Sequence, residues 1–176
     1  IDFSFGAMDE IVNQAAKMRY MFGTPLPLVI RGTSGVALYA AQHNNSLEAL
    51  FAHMPGLLVA IPSTPADTKG LLKSALRGED PVIFMMHKKL SGTRGEVGGS
   101  DDLVPFGRAA IRRSGADVTI VAYSHMVFKA MEAAASLAEA GIEAEVIDLR
   151  TVMPLDFETV AESVRKTGRL VAVTEA

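Results

Sequence analysis

The sequence contains no cysteine, so it can form neither a disulfide framework nor a thiolate metal site. It has no surplus of basic residues: 17 Lys and Arg stand against 20 Asp and Glu, for a net charge of −3. With a pI near 5.8 there is no electrostatic footprint for gripping a phosphate backbone, and no nucleic-acid partner is expected. No apolar run approaches the length of a membrane span, and the first residues lack the charged and apolar regions of a signal peptide. The expectation is therefore a soluble, cytoplasmic protein with no membrane partner. What is present is a 176-residue chain, 49% hydrophobic, with a mean hydropathy of +0.24. That is enough to fill a core in one ordinary domain or two small ones. The chain opens on Ile1 without a methionine and stops at Ala176 directly after an apolar run, and is expected to be a piece of something longer.

Short β-branched runs alternate with segments of helical period, which predicts an α/β architecture. Strands are expected over 27–32, 57–63, 81–87, 108–113, 117–124, 143–150 and 170–175. Several, such as Val118 to Ala122, are apolar without alternation, as strands covered on both faces of a parallel sheet tend to be. The clearest helix sets Val127, Ala130, Met131, Ala134, Leu137 and Ala138 on one stripe before Gly141, which suits a left-handed stop. A second is expected from Pro65 to Arg77, capped by Thr64 and closed by Gly78. A third starts near Met8 with Ile11, Ala15 and Met18, and a fourth near a capping Asp156. From Lys88 to Pro105 glycines interleave with Ser100, Asp101 and Asp102, and no amphipathic face forms. This stretch reads as a linker, 89–105, between an N-terminal part, 1–88, and a C-terminal part, 106–176.

Histidine is the side chain best suited to proton transfer near neutral pH, so the four histidines are the first candidates. His43 lies in a polar turn after a glycine-containing stretch, where an α/β sheet places reacting groups. His53 reads as a helix-end residue. His87, with Lys88 and Lys89, and His125, after Ser124, could meet an anion or a partner but read first as solvated surface. No histidine lies three to five residues from another, so spacing predicts no transition-metal site. There is no G-x-S-x-G elbow, no Walker loop and no G-x-G-x-x-G after a strand. Residues 31–35 read as a small anion-friendly turn after a strand. Aromatics are only 6% of the chain, which singles out Phe3 and Phe5; an extended segment there would point them to opposite sides, one into the core.

The residues in order then carry a resemblance. Pro27-Leu28-Val29-Ile30-Arg31-Gly32, Gln42-His43, Phe51-Ala52-His53-Met54-Pro55-Gly56-Leu57, Pro62 to Pro65 and Asp67 to Leu72 are followed by Asp80-Pro81-Val82. Further on come Val118 to Val121, Glu145 to Thr151, Pro154-Leu155-Asp156, Lys166 to Arg169 and Thr174-Glu175-Ala176. The whole, collinear along the chain, resembles the beta subunit of thiamine-diphosphate-dependent 2-oxoacid dehydrogenases.

The resemblance implies the later part of a transketolase-like pyrimidine-binding domain and the start of a transketolase-like C-terminal α/β domain. It implies oxidative decarboxylation of pyruvate or a branched-chain 2-oxoacid, with acyl transfer to a lipoyl group. An acetoin-cleaving relative would look nearly the same, and a non-catalytic assembly module is the rival reading. Partners implied are an alpha subunit, a second beta subunit, a lipoyl-bearing acyltransferase and a small 2-oxoacid. Thiamine diphosphate would be shared with the alpha subunit, which carries the G-D-G motif for magnesium; no G-D-G occurs here. The family's cofactor-activating glutamate corresponds to a position upstream of Ile1. Phe3 matches the aromatic that stacks on the aminopyrimidine ring, and His43 the active-site histidine. Leu28, Ala75, Leu76, Gly78 and Asp80 match positions whose backbone carbonyls hold potassium in some members. The sequence departs from many members at Asn44-Asn45, where they have Ser-Gln.

Overall fold

A computed structural model describes residues 1–175; Ala176, the last residue of the resemblance, lies outside them. Among the described residues eight strands form two four-stranded sheets. The N-terminal sheet contains β1 (Val29–Ser34), β2 (Leu58–Ala60) and β3 (Val82–His87), and is completed by β7 (Thr151–Met153). Its order is β1-β3-β2-β7, with β1, β3 and β2 parallel and β7 antiparallel to β2. The C-terminal sheet contains β4 (Ala110–Arg113), β5 (Val118–Ala122), β6 (Ala144–Asp148) and β8 (Leu170–Ala172), in the order β4-β6-β5-β8. Here β5, β6 and β8 are parallel and β4 is antiparallel. All seven expected strands are present, with shifted ends. β7 was not expected: it is three residues long and finds its hydrogen-bond partner in β2, about ninety positions earlier.

The two-residue period of β3 explains how both faces of its sheet are covered. Val82 and Phe84 pack against Leu71 and Ala75 of α3 (Pro65–Arg77), whereas Ile83 and Met85 pack against Phe51 of α2 (Glu48–Ala52), Ile11 and Ala16. Leu71 is fully enclosed, a burial worth about 2 kcal/mol. α3 begins as its sequence demands. The Thr64 hydroxyl accepts the Asp67 backbone N–H at 3.1 Å and donates to the Asp67 carboxylate at 2.6 Å, and Pro65 occupies the first turn. Residues 4–22 depart from the single helix expected near Met8. They wind as a 3-10 turn, a π turn and a second 3-10 turn before α1 (Met18–Phe22), which Gly23 ends at φ +67°.

The second sheet repeats the scheme. Ile120, Ala122 and Val146 face α4 (His125–Glu139), while Val121, Ile147 and Thr119 face α5 (Phe157–Thr167). Thr119 is buried, and its hydroxyl lies 2.7 Å from those of both Ser163 and Thr167. Asp156 caps α5 by accepting the Thr159 N–H at 3.2 Å. From β5 the chain crosses through α4 to β6 on one side, and then through α5 to β8 on the other. The gap between the carboxyl ends of β5 and β8 is therefore a topological switch point, where open α/β sheets bind ligands. Tyr123 and Val152 pack against clusters from both sheets and join the two cores. No helix among the described residues is long and apolar enough to cross a membrane.

Candidate functional site

Parallel strands present the loops at their carboxyl ends to whatever binds there. β1 ends at Ser34, and the next residues, 35–45, form a loop closed on itself. Gly35 N–H donates to the Asn45 carbonyl at 2.8 Å, and Ala37 N–H to Asn44 Oδ1 at 2.7 Å. The Asn44 amide also donates to the carbonyls of Tyr39 and Ala40 at 2.8 and 3.0 Å. Within this loop a 3-10 turn, Ala41–His43, exposes His43. Phe3 meets it edge to face with ring centroids 5.0 Å apart and an interplanar angle of 72°, and Tyr39 lies 6.3 Å away.

The two predicted side chains, forty positions apart, are thus brought together, and a polar chain holds them so. The Asp2 carboxylate accepts the Asn45 N–H at 3.2 Å and pairs with Lys88 at 2.7 Å; Lys88 also donates to the Gly35 carbonyl at 3.2 Å. Phe3 remains 67% exposed, so most of its aromatic surface is accessible. Phe5 is exposed as well, and the segment is a 3-10 turn rather than a strand, so neither phenylalanine enters the core. The anion-friendly turn also gives way: residues 31–34 lie inside β1, and Arg31 Nε donates to Met86 Sδ.

Leu28, Ala75, Leu76, Gly78 and Asp80 gather at the opposite end of the N-terminal sheet, where β1 and β3 begin and α3 ends. The Leu28 carbonyl accepts the Val82 N–H at 2.8 Å and the Ala75 carbonyl accepts the Gly78 N–H at 3.2 Å, which leaves each a second lone pair. The Asp80 side chain is engaged with Arg19 at 2.5 Å. A strand's length, about 20 Å, separates this group from His43.

Sequence reasoning missed a second polar cluster. His87 ends β3, His125 opens α4 after β5, and Glu175 follows β8, so all three stand at carboxyl ends of parallel strands. That shared position was the available signal. His87 is buried rather than solvated, and its Nε2 lies 2.7 Å from Glu175 Oε2. Its Nδ1 accepts the Lys89 N–H at 3.1 Å, which assigns the ring proton to Nε2 and makes Glu175 its acceptor. His125 stacks on His87 at 4.9 Å, and its buried Nδ1 has no hydrogen-bond partner. Burial, then the neighbouring His87 and Lys89, push the His125 pKa down. Ser124, which turns β5 into α4, takes φ +53° and ψ −135°, a strained backbone for a residue with a side chain.

Next to this cluster the Tyr123 hydroxyl donates to Glu48 at 2.8 Å and contacts Thr174. Burial, opposed by the Thr174 hydrogen bond and aided by Glu48, pushes Tyr123 up to about 12. Spacing along the chain excluded a metal-ligand set, yet the fold brings donor atoms of His87, His125 and Glu175 within 4.8 Å of one another.

The two α/β sheets are those of a transketolase-type protein, and the chain belongs to that family. Residues 1–93 match the transketolase pyrimidine-binding domain and residues 107–176 the transketolase C-terminal domain. The chain is 57% identical to the beta subunit of acetoin:2,6-dichlorophenolindophenol oxidoreductase of Cupriavidus necator, covering all of this chain and 53% of that one. It is 49% identical to the pyruvate dehydrogenase E1 component subunit beta of Rhizobium meliloti, covering 99% of this chain and 39% of that one. With the 2-oxoisovalerate dehydrogenase subunit beta of Bacillus subtilis it shares 44% identity over 99% of this chain and 54% of that one. A solved structure described as a split-gene transketolase in an inactive beta4 tetramer superposes with a TM-score of 0.82 at 32% identity, covering 98% of this chain and 54% of that one. The chain spans about half the length of the curated relatives it matches.

Proposed function

We propose that this chain forms part of the beta subunit of a 2-oxoacid dehydrogenase's decarboxylating component. It would act with an alpha subunit and a second beta subunit on pyruvate or a branched-chain 2-oxoacid, and pass the acyl group to a lipoyl-bearing acyltransferase. The observation that carries this reading is the contact of Phe3 with His43 on a loop braced by Asp2 and Lys88. Thiamine diphosphate, when bound, supplies the carbanion chemistry at the keto carbon. Phe3 offers its exposed ring to the aminopyrimidine. His43 donates a hydrogen bond to developing negative charge and exchanges a proton during acyl transfer. Magnesium belongs to the alpha subunit in this reading.

The carbonyls of Leu28, Ala75, Leu76, Gly78 and Asp80 are the oxygen donors a hard monovalent cation such as potassium takes, in a structural role far from the chemistry. Residues 1–88 and 106–176 are assigned to the two partial domains, joined by 89–105, and a cytoplasmic location, or the mitochondrial matrix in a eukaryote, is proposed with them. The 57% identity to an acetoin oxidoreductase subunit supports a second reading, in which acetoin is the substrate.

Full-length subunit reconstituted with its alpha partner and assayed on pyruvate, branched-chain 2-oxoacids and acetoin separates the two readings. His43→Ala is expected to lower turnover at least about a hundredfold while leaving thiamine diphosphate binding by calorimetry intact. Wild-type turnover in that variant overturns the role of His43. Failure to bind the cofactor, even with the alpha subunit present, favours an assembly module instead.

A further inference from the structure

We propose that His87 and Glu175 are positioning residues for the loop that carries His43, so that the C-terminal sheet orients a side chain mounted on the N-terminal one. The inference rests on the proposed role of His43. Glu175 Oε2 accepts two hydrogen bonds, from His87 Nε2 at 2.7 Å and from the Val36 N–H at 2.8 Å. Val36 is the second residue of the loop, and the first, Gly35, lies directly on the His87 ring. A Cβ built on Gly35 would come within 2.1 Å of His87 Nε2 and 2.2 Å of its Cδ2, and the residue has φ +81°, so close approach and backbone conformation both require glycine. The far end of the loop is closed onto this fixed end by the Gly35 to Asn45 hydrogen bond, two residues beyond His43.

The contact is built for rigidity. The side chains of His87 and Glu175 are 5% and 17% exposed, and His125 covers the imidazole by stacking. Burial pushes the Glu175 carboxyl up, but the Val36 N–H and then His87 outweigh it and hold the group below the usual carboxylate range. A charged acceptor makes both bonds stronger than neutral ones. The same cluster is poorly suited to a metal ion. The Lys89 N–H occupies Nδ1 of His87, so a metal on Nε2 would require either an imidazolate or the loss of that bond. Glu175 is reached only through β8, so the loop's anchor comes from a different sheet from the one that carries the loop.

The test uses the full-length subunit assembled with its alpha partner, in the variants Glu175→Ala, Glu175→Gln, His87→Gln and His43→Ala. Amide hydrogen exchange reads the loop directly. Glu175→Ala is expected to speed exchange at Val36 and across 35–45 at least about tenfold. It should also lower kcat about tenfold with KM for the oxoacid within about twofold, the pattern of a misplaced catalytic group. Glu175→Gln, whose amide oxygen still accepts the Val36 N–H, should recover most of both losses, and His87→Gln should fall between. In a His43→Ala background, Glu175→Ala should cost nothing more. Unchanged exchange at Val36, or losses that add in full in the double variant, overturn the proposal. Wild-type turnover in His43→Ala defeats the reading of His43 instead, and the exchange data then decide the anchoring alone.

Discussion

Two polar junctions tie the sheets together, and they differ in what they hold. At one, Arg112 of β4 pairs with both Asp67 and Asp148, Arg150 reaches Asp67 at 3.1 Å, and Ser63 donates to Asp148 at 2.5 Å. These residues sit on α3, β4, β6 and their flanks, so the junction welds one regular element to another. At the other, Glu175, His87, Tyr123 and Glu48 meet beside a loop. The chemistry of the two is similar, with carboxylates that each receive at least one donor from the opposite sheet. The first keeps the sheets in register, whereas the second transmits that register to a site.

Breaking the first junction should cost the most. Arg112→Ala leaves fully buried Asp148 with only Ser63 as a side-chain partner, and is expected to lower unfolding free energy by about 3 to 5 kcal/mol in urea titration. A loss under about 1 kcal/mol would mean that solvent reaches this junction.

Gly35→Ala strikes the second junction. The strain at φ +81° and the collision with His87 should cost about 2 kcal/mol. Unlike Arg112→Ala, it should reduce turnover more than stability, and comparing kcat with the unfolding midpoint decides this.

Acid should loosen the first junction through Asp67. Burial raises that carboxyl, but the Thr64 hydroxyl, Arg112 and Arg150 outweigh it and hold it below its ordinary value. The stability it contributes is therefore present above the unfolded value, about pH 4, and is lost as the pH falls through the lower folded value. Asp148 acts in the opposite sense. Burial outweighs Ser63 and Arg112 and raises it, so its contribution is fullest in acid and declines as the pH rises through its folded value. Asp67→Asn should flatten the acid limb of a stability profile, by about 1 kcal/mol between pH 5 and pH 3 by order of magnitude. An unaltered limb would assign acid sensitivity to other groups.

Tyr123→Phe is the mildest change. It removes the donor to Glu48 and should cost about 1 kcal/mol in thermal unfolding, with loop exchange at 35–45 unchanged because the Glu175 bonds survive. Faster loop exchange in this variant would show that the anchor extends beyond His87 and Glu175.

Much of the fold was legible because its signals are local. Thr64 and Asp156 cap where the sequence places caps, Val127, Ala130 and Ala134 of the expected α4 stripe are buried although Met131 is exposed, and Gly141 adopts φ +77°. β7 was not legible, since three residues carry no period and Thr151–Met153 is a strand only because β2 offers it an edge. Residues 4–22 have helical composition, but their hydrogen bonds alternate among three helix types, which no pattern of side chains announces. In the candidate site, His43 and Phe3 stood out individually and through resemblance, yet their contact required the fold. His87 is buried and His125 half-buried where the sequence suggests solvated surface, because burial depends on what another sheet places over them.

The order of residues alone determined the alternation of strands and helices, the caps, and the family, since each depends on neighbours a few positions apart or on a collinear pattern. Tertiary structure decided which charges meet. Glu175 finds His87 across 88 positions and Val36 across 139. At such separations a hydrogen bond follows from how the sheets pack, and local sequence carries no trace of it.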